Sequence, residues 1–341
     1  MRSRRTRALL IAIVALVAIG TVVGVLMVAA PPRHTAVRTP PWQDAETNTQ
    51  VFPGGLWINP RSLPATAAGQ LRGSGQATDA AAAATIAEQP IATWLTEGSP
   101  IAVQRAQLDA DLAEARASRT TPVFVTYAIP DRDCGDYSAG GFRDDRSYEQ
   151  WNAMIASRLR GHPAVVLIEP DSIAMLGRSS CSAVNSTRLA VVRSVVRRYA
   201  RDHVDVYLDG GNSHWQSPNT MATRLREAGV SYARGFFTNV SNFYGVDPER
   251  SYANRLSALI GGKHFVIDVS RNGAGSRGSW CNPVGAALGQ NPHVTAGTTR
   301  LDALLWVKTP GASDGTCNGG PAAGQWFKSY ALALVDNRNR G

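Results

Sequence analysis

Carboxylic acids follow the ends of strand-like apolar segments at five places in this sequence. In the clearest case the apolar run 164–168 leads directly into Glu169, Pro170 and Asp171. A continuous apolar run of this kind is typical of a strand that is buried on both faces. Proline cannot donate to the sheet, so the strand ends there. A single aspartate in this position usually caps the next helix, but the repetition of the pattern favours an active site.

The other four apolar segments show the same feature. The acidic residues are Asp131 and Asp133 after 123–129, Asp209 after 204–208, Asp268 after 264–267 and Asp314 after 303–307. The C-terminal ends of parallel strands lie at one rim of a barrel, so these carboxylates are expected to converge on one cleft. Clustered carboxylates repel one another, which raises the pKa of at least one of them. A neutral acid beside an ionised carboxylate is the pair that glycoside hydrolysis requires.

Tryptophan side chains lie at or just beyond the ends of several of these segments. Sugar rings stack their C–H faces on indole rings, so tryptophan beside carboxylates predicts a polysaccharide groove. Trp57, Trp215 and Trp280 have polar or glycine-rich neighbours and are predicted to be exposed. Trp306 lies inside an apolar run and is predicted to belong to the core.

An alternation of strands and helices must hold these side chains in place. The predicted strands are 123–129, 164–168, 204–208, 232–237, 264–267 and 303–307, with 56–60 as a short first strand or edge segment. The predicted helices are 79–88, 103–118, 148–160, 183–202, 220–228, 249–260 and 322–335. Elements that alternate at this spacing form a parallel sheet, which makes one domain when it closes into a barrel. The sequence therefore predicts an α/β barrel with six or seven parallel strands in a single catalytic domain.

The N-terminal residues 1–30 resemble an export signal. Residues 1–7 are basic, and residues 8–30 are uncharged and mostly apolar. This stretch is long enough to span a bilayer, so a signal peptide cut near residue 30 and an uncleaved N-terminal membrane anchor both remain open. In either case the basic end stays inside. We therefore expect the protein to be secreted, or anchored through residues 8–30 to the outer side of the cytoplasmic membrane.

The next segment, 31–50, is rich in proline, threonine and polar residues and has no apolar periodicity. It is predicted to be a flexible linker. The folded catalytic domain is then predicted to cover residues 51–341.

Four cysteines, Cys134, Cys181, Cys281 and Cys317, follow this segment. An even number of cysteines in an exported chain predicts two disulfides, and three pairings are open. The chain contains no C-x-x-C motif and no histidine cluster beside a cysteine, so we expect no zinc site and no other metal.

The formal net charge of +9 does not indicate nucleic-acid binding. Only three residues are lysines, and six of the arginines lie before residue 40, outside the predicted domain. Dispersed arginine is more typical of a solvated surface. The sequence also lacks a G-x-S-x-G nucleophile elbow and a phosphate-binding P-loop.

Two long stretches resemble glycoside hydrolase family 6, the family of cellulases that act on β-1,4-glucan. They are 125–141, which carries the Asp131–Gly135 motif, and 166–172. Residues 280–283 and 305–308, together with Gly311 and Asp314–Gly315, extend the resemblance, which covers about 51–341. It implies a distorted barrel with about seven parallel strands, inversion of anomeric configuration, and no metal or cofactor.

The resemblance also implies a role for each catalytic carboxylate. Asp171 corresponds to the general acid that protonates the leaving oxygen, and Asp133 to the residue that raises its pKa and helps to hold the water chain. Asp314 corresponds to the proposed base, although water relays offer another route for the proton. Tyr127 corresponds to a residue that crowds the sugar at the reacting subsite.

Further positions are expected to bind the glucan or to brace the loops. The substrate-binding residues are Tyr127, Trp57, Asp209, Asn212, Trp215, Asn242, Trp280 and Lys308. The disulfides implied by the family are Cys134–Cys181 and Cys281–Cys317. Two departures concern Asn212, where relatives often have histidine, and Ala139, where they often have a second hydroxyl.

The spacing between the paired cysteines is short for this family, which favours an open groove and endoglucanase action. The expected partner is β-1,4-glucan, as cellulose or cello-oligosaccharides, and the expected state is a monomer. Three alternatives remain open: a weakly catalytic β-glucan-binding relative, an exo-acting cellobiohydrolase, and a barrel that acts on another glycan such as xylan.

Overall fold

A computed structural model describes residues 48–296 and 299–340 of the chain. Within these residues the helices are α1 Asn48–Val51, α2 Leu63–Gly73, α3 Ala77–Ala87, α4 Ile101–Ser118, α5 Asp145–Leu159, α6 Arg188–Arg201, α7 Pro218–Glu227, α8 Val246–Leu259 and α9 Lys328–Arg340. The strands are β1 Thr93–Leu95, β2 Val123–Thr126, β3 Val165–Ile168, β4 Asp205–Asp209, β5 Gly235–Thr238, β6 His264–Asp268, β7 His293–Val294 and β8 Leu301–Leu305.

The predicted signal peptide or anchor and residues 31–47 of the predicted linker lie outside the described residues. Residues 48–50, the last part of that linker, belong to α1. No helix within 48–296 and 299–340 is long and apolar enough to cross a membrane.

Seven of the described strands run parallel and form a barrel. Their order is β1-β2-β3-β4-β5-β6-β8, and β7 pairs antiparallel with β8. The two edges of the parallel series meet at a single bridge between Ile91 and Trp306, where the Ala92 N–H donates to the Trp306 carbonyl at 2.9 Å. The Trp94 indole N–H adds a bond of 2.8 Å to the Val307 carbonyl. The prediction of a barrel with about seven parallel strands is confirmed.

The strands are buried on both faces, as their continuous apolar sequences predict. In β3, Val165 and Leu167 pack in the barrel interior, whereas Val166 and Ile168 pack against the surrounding helices. The same alternation of two faces is found in the neighbouring strands because successive side chains of a strand point in opposite directions. Trp306 is 1% exposed, which confirms its prediction as a core residue.

The first predicted strand, 56–60, is wrong. Leu56 makes one isolated bridge to Thr121, and the Trp57 N–H donates to the Thr121 carbonyl at 3.0 Å. Thr121 precedes β2, so Trp57 lies at the N-terminal end of the strands, opposite the rim that carries the carboxylates. Trp57 is only 5% exposed. The predictions of an exposed Trp57 and of its contact with substrate are therefore wrong, because the residue is buried at the end of the barrel away from the carboxylates.

Both disulfides expected from the family resemblance are formed. Cys134 pairs with Cys181 across the loops that follow β2 and β3, and Cys281 pairs with Cys317 across the loops that follow β6 and β8. Each disulfide therefore joins two loops at the C-terminal rim of the barrel.

Removal of the first disulfide is expected to destabilise the protein. The Cys134–Cys181 bridge closes a loop with a sequence separation of 47. The double variant Cys134→Ser, Cys181→Ser should lose about 2–4 kcal/mol of unfolding free energy because its unfolded chain is less constrained. Urea unfolding under oxidising conditions measures the difference from wild type, in which both disulfides are formed. An unchanged urea midpoint would contradict this prediction.

Candidate active site

Three acidic side chains at the rim are buried and bonded to backbone N–H groups. Glu169 accepts from Ala128 and Ile129, Asp209 from Ile173, Ala174 and Gly211, and Asp268 from Ser241, Ser270, Val307 and Lys308. Glu169, Asp209 and Asp268 are at most 2% exposed. Each carboxylate ties together loops that follow neighbouring strands. The expectation that every strand-end carboxylate faces the cleft is therefore wrong for Asp209 and Asp268.

Asp209 supports the turn that presents Asp171. Its Oδ2 accepts from the N–H groups of Ile173 and Ala174 at 3.0 and 2.8 Å. The sequence predicts a substrate contact for Asp209, whereas in the structure its oxygens shape this turn. Asp171 itself has φ 71°, a left-handed conformation that non-glycine residues rarely adopt. Such conformations persist only where surrounding contacts enforce them, and they cluster at functional sites.

Asp171 combines partial exposure with a perturbed acidity. Its side chain is half-buried at the C-terminal end of β3. Burial raises the pKa of Asp171 well above its usual range, and the carboxylates of Asp209 and Asp133 raise it further, against the opposing charge of Lys308. The result is a carboxylic acid that keeps its proton at pH values where an ordinary aspartate is ionised.

Asp133 and Tyr127 lie in the same electrostatic environment as Asp171. The Asp133 Oδ2 accepts from the Ser138 N–H at 2.8 Å, and burial raises the pKa of Asp133. Burial also raises the pKa of Tyr127, as do the charges of Asp171 and Asp133. The structure thus brings Tyr127, Asp133, Asp209 and Lys308, all predicted from the sequence, together around the expected acid.

Asp314 is held in a different way. Its Oδ2 lies 2.7 Å from Arg271 Nη1 and accepts from the Asn282 N–H at 3.0 Å, and its Oδ1 lies 3.0 Å from Lys308 Nζ. Burial alone would raise the pKa of Asp314, but the charges of Arg271 and Lys308 outweigh it and lower the pKa to about 2. Asp314 is therefore ionised at all ordinary pH values and is a poor proton acceptor.

Aromatic side chains line the rim beside these carboxylates. Trp280 is 48% exposed, which confirms its predicted exposure, and Tyr137 lies edge-on to it with ring centroids 5.8 Å apart. Trp215 is half-buried and packs in a small cluster with Met175, Val184 and the Cys134–Cys181 disulfide. Trp94, which sequence reasoning missed, lies edge-on to Tyr127 at 5.1 Å. Trp94 is the middle residue of the three-residue strand β1, and a strand this short gives no periodic signal in the sequence.

The two asparagines expected to bind substrate occupy neighbouring loops after β4 and β5. Asn212 is buried, and its Oδ1 accepts from the His214 N–H at 3.0 Å. Asn242 is half-buried and donates to the Val240 carbonyl at 3.0 Å. The exposed His214 ring stacks on Tyr244 with centroids 3.9 Å apart. An imidazole is therefore present in this loop, although residue 212 is not histidine.

No group of three or more histidine, cysteine or acidic side chains in the part of the chain that the structure describes is arranged to hold a metal ion. The chemical groups at the rim are a neutral carboxylic acid, ionised carboxylates and exposed aromatic rings. On a distorted parallel barrel, this set defines the class of enzymes that hydrolyse glycosidic bonds by acid catalysis.

Comparison with known families agrees with this class. The family model for "Glycosyl hydrolases family 6" matches residues 54–338. The chain belongs to glycosyl hydrolase family 6.

Three relatives show where the chain stands in the family. Endoglucanase A of Cellulomonas fimi is 42% identical over 260 residues, which cover 76% of this chain but only 57% of that protein. Endoglucanase 1 of Streptomyces halstedii is 36% identical over 98% of this chain and 99% of its own length. The solved structure of the endoglucanase Cel6 from Mycobacterium tuberculosis, in complex with a methyl-cellobiosyl-thio-cellobioside, superposes with a TM-score of 0.77 at 39% identity over 83% of this chain and 97% of that chain.

Proposed function

We propose that this protein is an endo-β-1,4-glucanase that cleaves internal bonds of β-1,4-glucan with inversion of configuration and uses Asp171 as the general acid. The observation that carries the proposal is the half-exposed Asp171 carboxyl with its raised pKa at the end of β3. Relatives that cover most of this chain at 36–42% identity are named endoglucanases, which supports the endo mode of action.

In this mechanism the Asp171 proton moves to the glycosidic oxygen as the bond from that oxygen to the anomeric carbon breaks. A water molecule attacks the anomeric carbon from the opposite face, which inverts its configuration. The low pKa of Asp314 makes it a weak base. The proton of the attacking water is therefore passed through water molecules beside Asp133 and Ser138 to bulk solvent, and Asp171 regains its proton from solvent after the leaving group departs.

The glucan is expected to bind along the aromatic side chains of the rim. Trp280 in the loop after β6 and Trp215 in the loop after β4 provide indole rings at the rim, and Trp94 adds a third beside Tyr127. Stacked sugar rings place successive glycosidic bonds in register with Asp171. Lys308, whose Nζ is already bound to Asp314, contributes a fixed positive charge to the same cleft.

We also propose that the protein acts outside the cytoplasm. The two disulfides and the export-like residues 1–30 support this location, because disulfides persist mainly in oxidising compartments. Fractionation of cells that express the full chain tests the proposal. Recovery of activity in the cytoplasm alone would refute it.

The endo mode of action has a direct test. The full-length protein is incubated with carboxymethylcellulose, and viscosity and reducing ends are followed together. Internal cleavage lowers viscosity steeply while few reducing ends appear, so we expect a large loss of viscosity early in the reaction. Steady release of reducing ends with little loss of viscosity would instead indicate an exo-acting enzyme. Binding of cello-oligosaccharides without hydrolysis would indicate a binding protein, and preference for xylan would indicate another glycan.

A further inference from the structure

The loop 132–141 carries two of the candidate catalytic groups and has a narrow neck. The Arg132 N–H donates to the Gly140 carbonyl at 3.0 Å, which forms an isolated antiparallel bridge. Asp133 and Ser138 lie just inside this bridge and are joined to each other by a hydrogen bond of 2.8 Å. The geometry of the neck therefore determines where both side chains point.

Glu97, from the turn after β1, contacts both sides of the neck. Its Oε1 accepts from the Gly141 N–H at 2.7 Å, and its Oε2 lies 2.7 Å from Arg132 Nη1. The Glu97 side chain is 24% exposed and the Arg132 side chain 12%, so the ion pair is partly shielded from water. Burial would raise the pKa of Glu97, but the Gly141 N–H and the charge of Arg132 outweigh it and lower the pKa. The carboxylate is thus ionised while it holds the neck.

Arg132 extends this contact into the loop and to the cleft. Its Nε donates to the Ser138 carbonyl at 2.8 Å, and its Nη1 donates to the Tyr127 carbonyl at 2.5 Å. The guanidinium also lies over the Tyr127 ring, 4.7 Å from its centroid. The Glu97 carboxylate thereby holds an arginine that in turn contacts both Tyr127 and Ser138.

The neck is packed too closely for any residue other than glycine. A Cβ on Gly140 would lie 2.6 Å from Arg132 Nη2 and 2.8 Å from Glu97 Oε1. Gly141 has φ 101°, and a Cβ there would lie 1.9 Å from the Ile129 carbonyl oxygen. The two glycines let the carboxylate approach the backbone directly, which shows that Glu97 is an integral part of the neck.

We propose that Glu97 is a positioning residue for hydrolysis: it clamps the neck of the loop 132–141 so that Asp133 and Ser138 are held beside Asp171. The inference rests on the proposed function, in which Asp171 is the acid. Glu97 does not touch the reacting atoms. It acts through Arg132 and Gly141, and neither the sequence motifs nor the predicted site includes it.

The test compares Glu97→Ala and Glu97→Gln with wild type on a soluble cello-oligosaccharide. Loss of the clamp displaces Asp133 and Ser138, so kcat should fall about 10- to 100-fold in Glu97→Ala while KM changes little. Glu97→Gln keeps an acceptor for Gly141 but loses the charge opposite Arg132, so its kcat should be intermediate. The alkaline limb of kcat/KM should move to lower pH, because the Asp133 charge no longer supports the raised pKa of Asp171.

The matched control is Asp109→Ala, which removes an exposed carboxylate paired with Arg158 at 3.2 Å on the outer helices. It should leave kcat and the pH profile unchanged. Thermal unfolding of each variant distinguishes an effect on positioning from an effect on stability. If Glu97→Ala does not fold, the kinetic comparison is made with Glu97→Gln. Folded Glu97 variants with wild-type kcat and pH profile would overturn the inference. Activity retained by Asp171→Asn would instead overturn the proposed function on which it rests.

Discussion

Replacement of Asp171 by asparagine should lower kcat on cello-oligosaccharides by about 100- to 10,000-fold, the contribution typical of a general acid. The amide has nearly the same shape as the carboxylic acid but cannot donate a proton to the leaving oxygen. KM should change much less, because the aromatic platforms that bind the glucan are intact. Among the residues that the structure describes, no ion pair is formed by the half-buried Asp171 side chain, so the variant should fold normally.

A substrate with a good leaving group makes this prediction specific. An aryl cellobioside that releases dinitrophenolate needs no protonation, so Asp171→Asn should keep far more of its activity on it than on cello-oligosaccharides. Because the acid works only while protonated, wild-type kcat/KM should fall as pH rises through the raised pKa of Asp171. The variant should lack this limb. Asp109→Asn, on an exposed part of α4, is the control; equal losses on both substrates would rule out the acid role.

The sequence predicts the barrel well because its strands are buried on both faces. Runs such as 164–168 are continuous and apolar, and they correspond to β3 and its neighbours with errors of a few residues at the ends. The sequence does not predict the short strands β1, of 3 residues, and β7, of 2 residues, because such short segments show no periodicity. Because β1 is not predicted from the sequence, Trp94 and Glu97 beside the candidate site are not predicted either.

The sequence could not separate the catalytic from the structural carboxylates. Asp171 and Asp209 both follow a strand directly. Asp209 is 2% exposed, and its carboxylate oxygens accept hydrogen bonds from backbone N–H groups. Asp171 is half-buried, and its pKa is raised. That difference depends on where the N–H groups of neighbouring loops point, which is tertiary information. The burial of Trp57 has the same origin, since it follows from the contact of this segment with the chain before β2 and not from its own sequence.

The pairing of the cysteines shows what family resemblance adds. Counting cysteines leaves three pairings open, and only correspondence with a known family selects Cys134–Cys181 and Cys281–Cys317. Resemblance does not, however, describe the environment of each residue. The position that the family assigns to a base is occupied here by Asp314, whose two cationic partners oppose proton uptake.

Asp314→Asn should cost about 3–5 kcal/mol of unfolding free energy, because removal of one partner leaves the other charge buried and uncompensated. Arg271 is fully buried and Lys308 nearly so, and both pair with this carboxylate. The double variant Arg271→Met, Asp314→Leu is the control: it replaces the Arg271 pair by apolar groups but leaves Lys308 without its partner, so it should recover part of the loss. Urea unfolding at neutral pH measures both, and equal losses in the single and double variants would contradict the pairing.

The pH dependence of the same difference has a defined sign. Asp314 has a pKa of about 2 in the folded protein, against about 3.9 for an unfolded aspartate. The stabilisation is therefore complete above the unfolded value and is lost as pH falls through the folded one. The difference in unfolding free energy between wild type and Asp314→Asn should shrink as pH is lowered from 5 to 2. A constant difference over this range would mean that Asp314 is not held by Arg271 and Lys308, and its role as a proton acceptor would then have to be reconsidered.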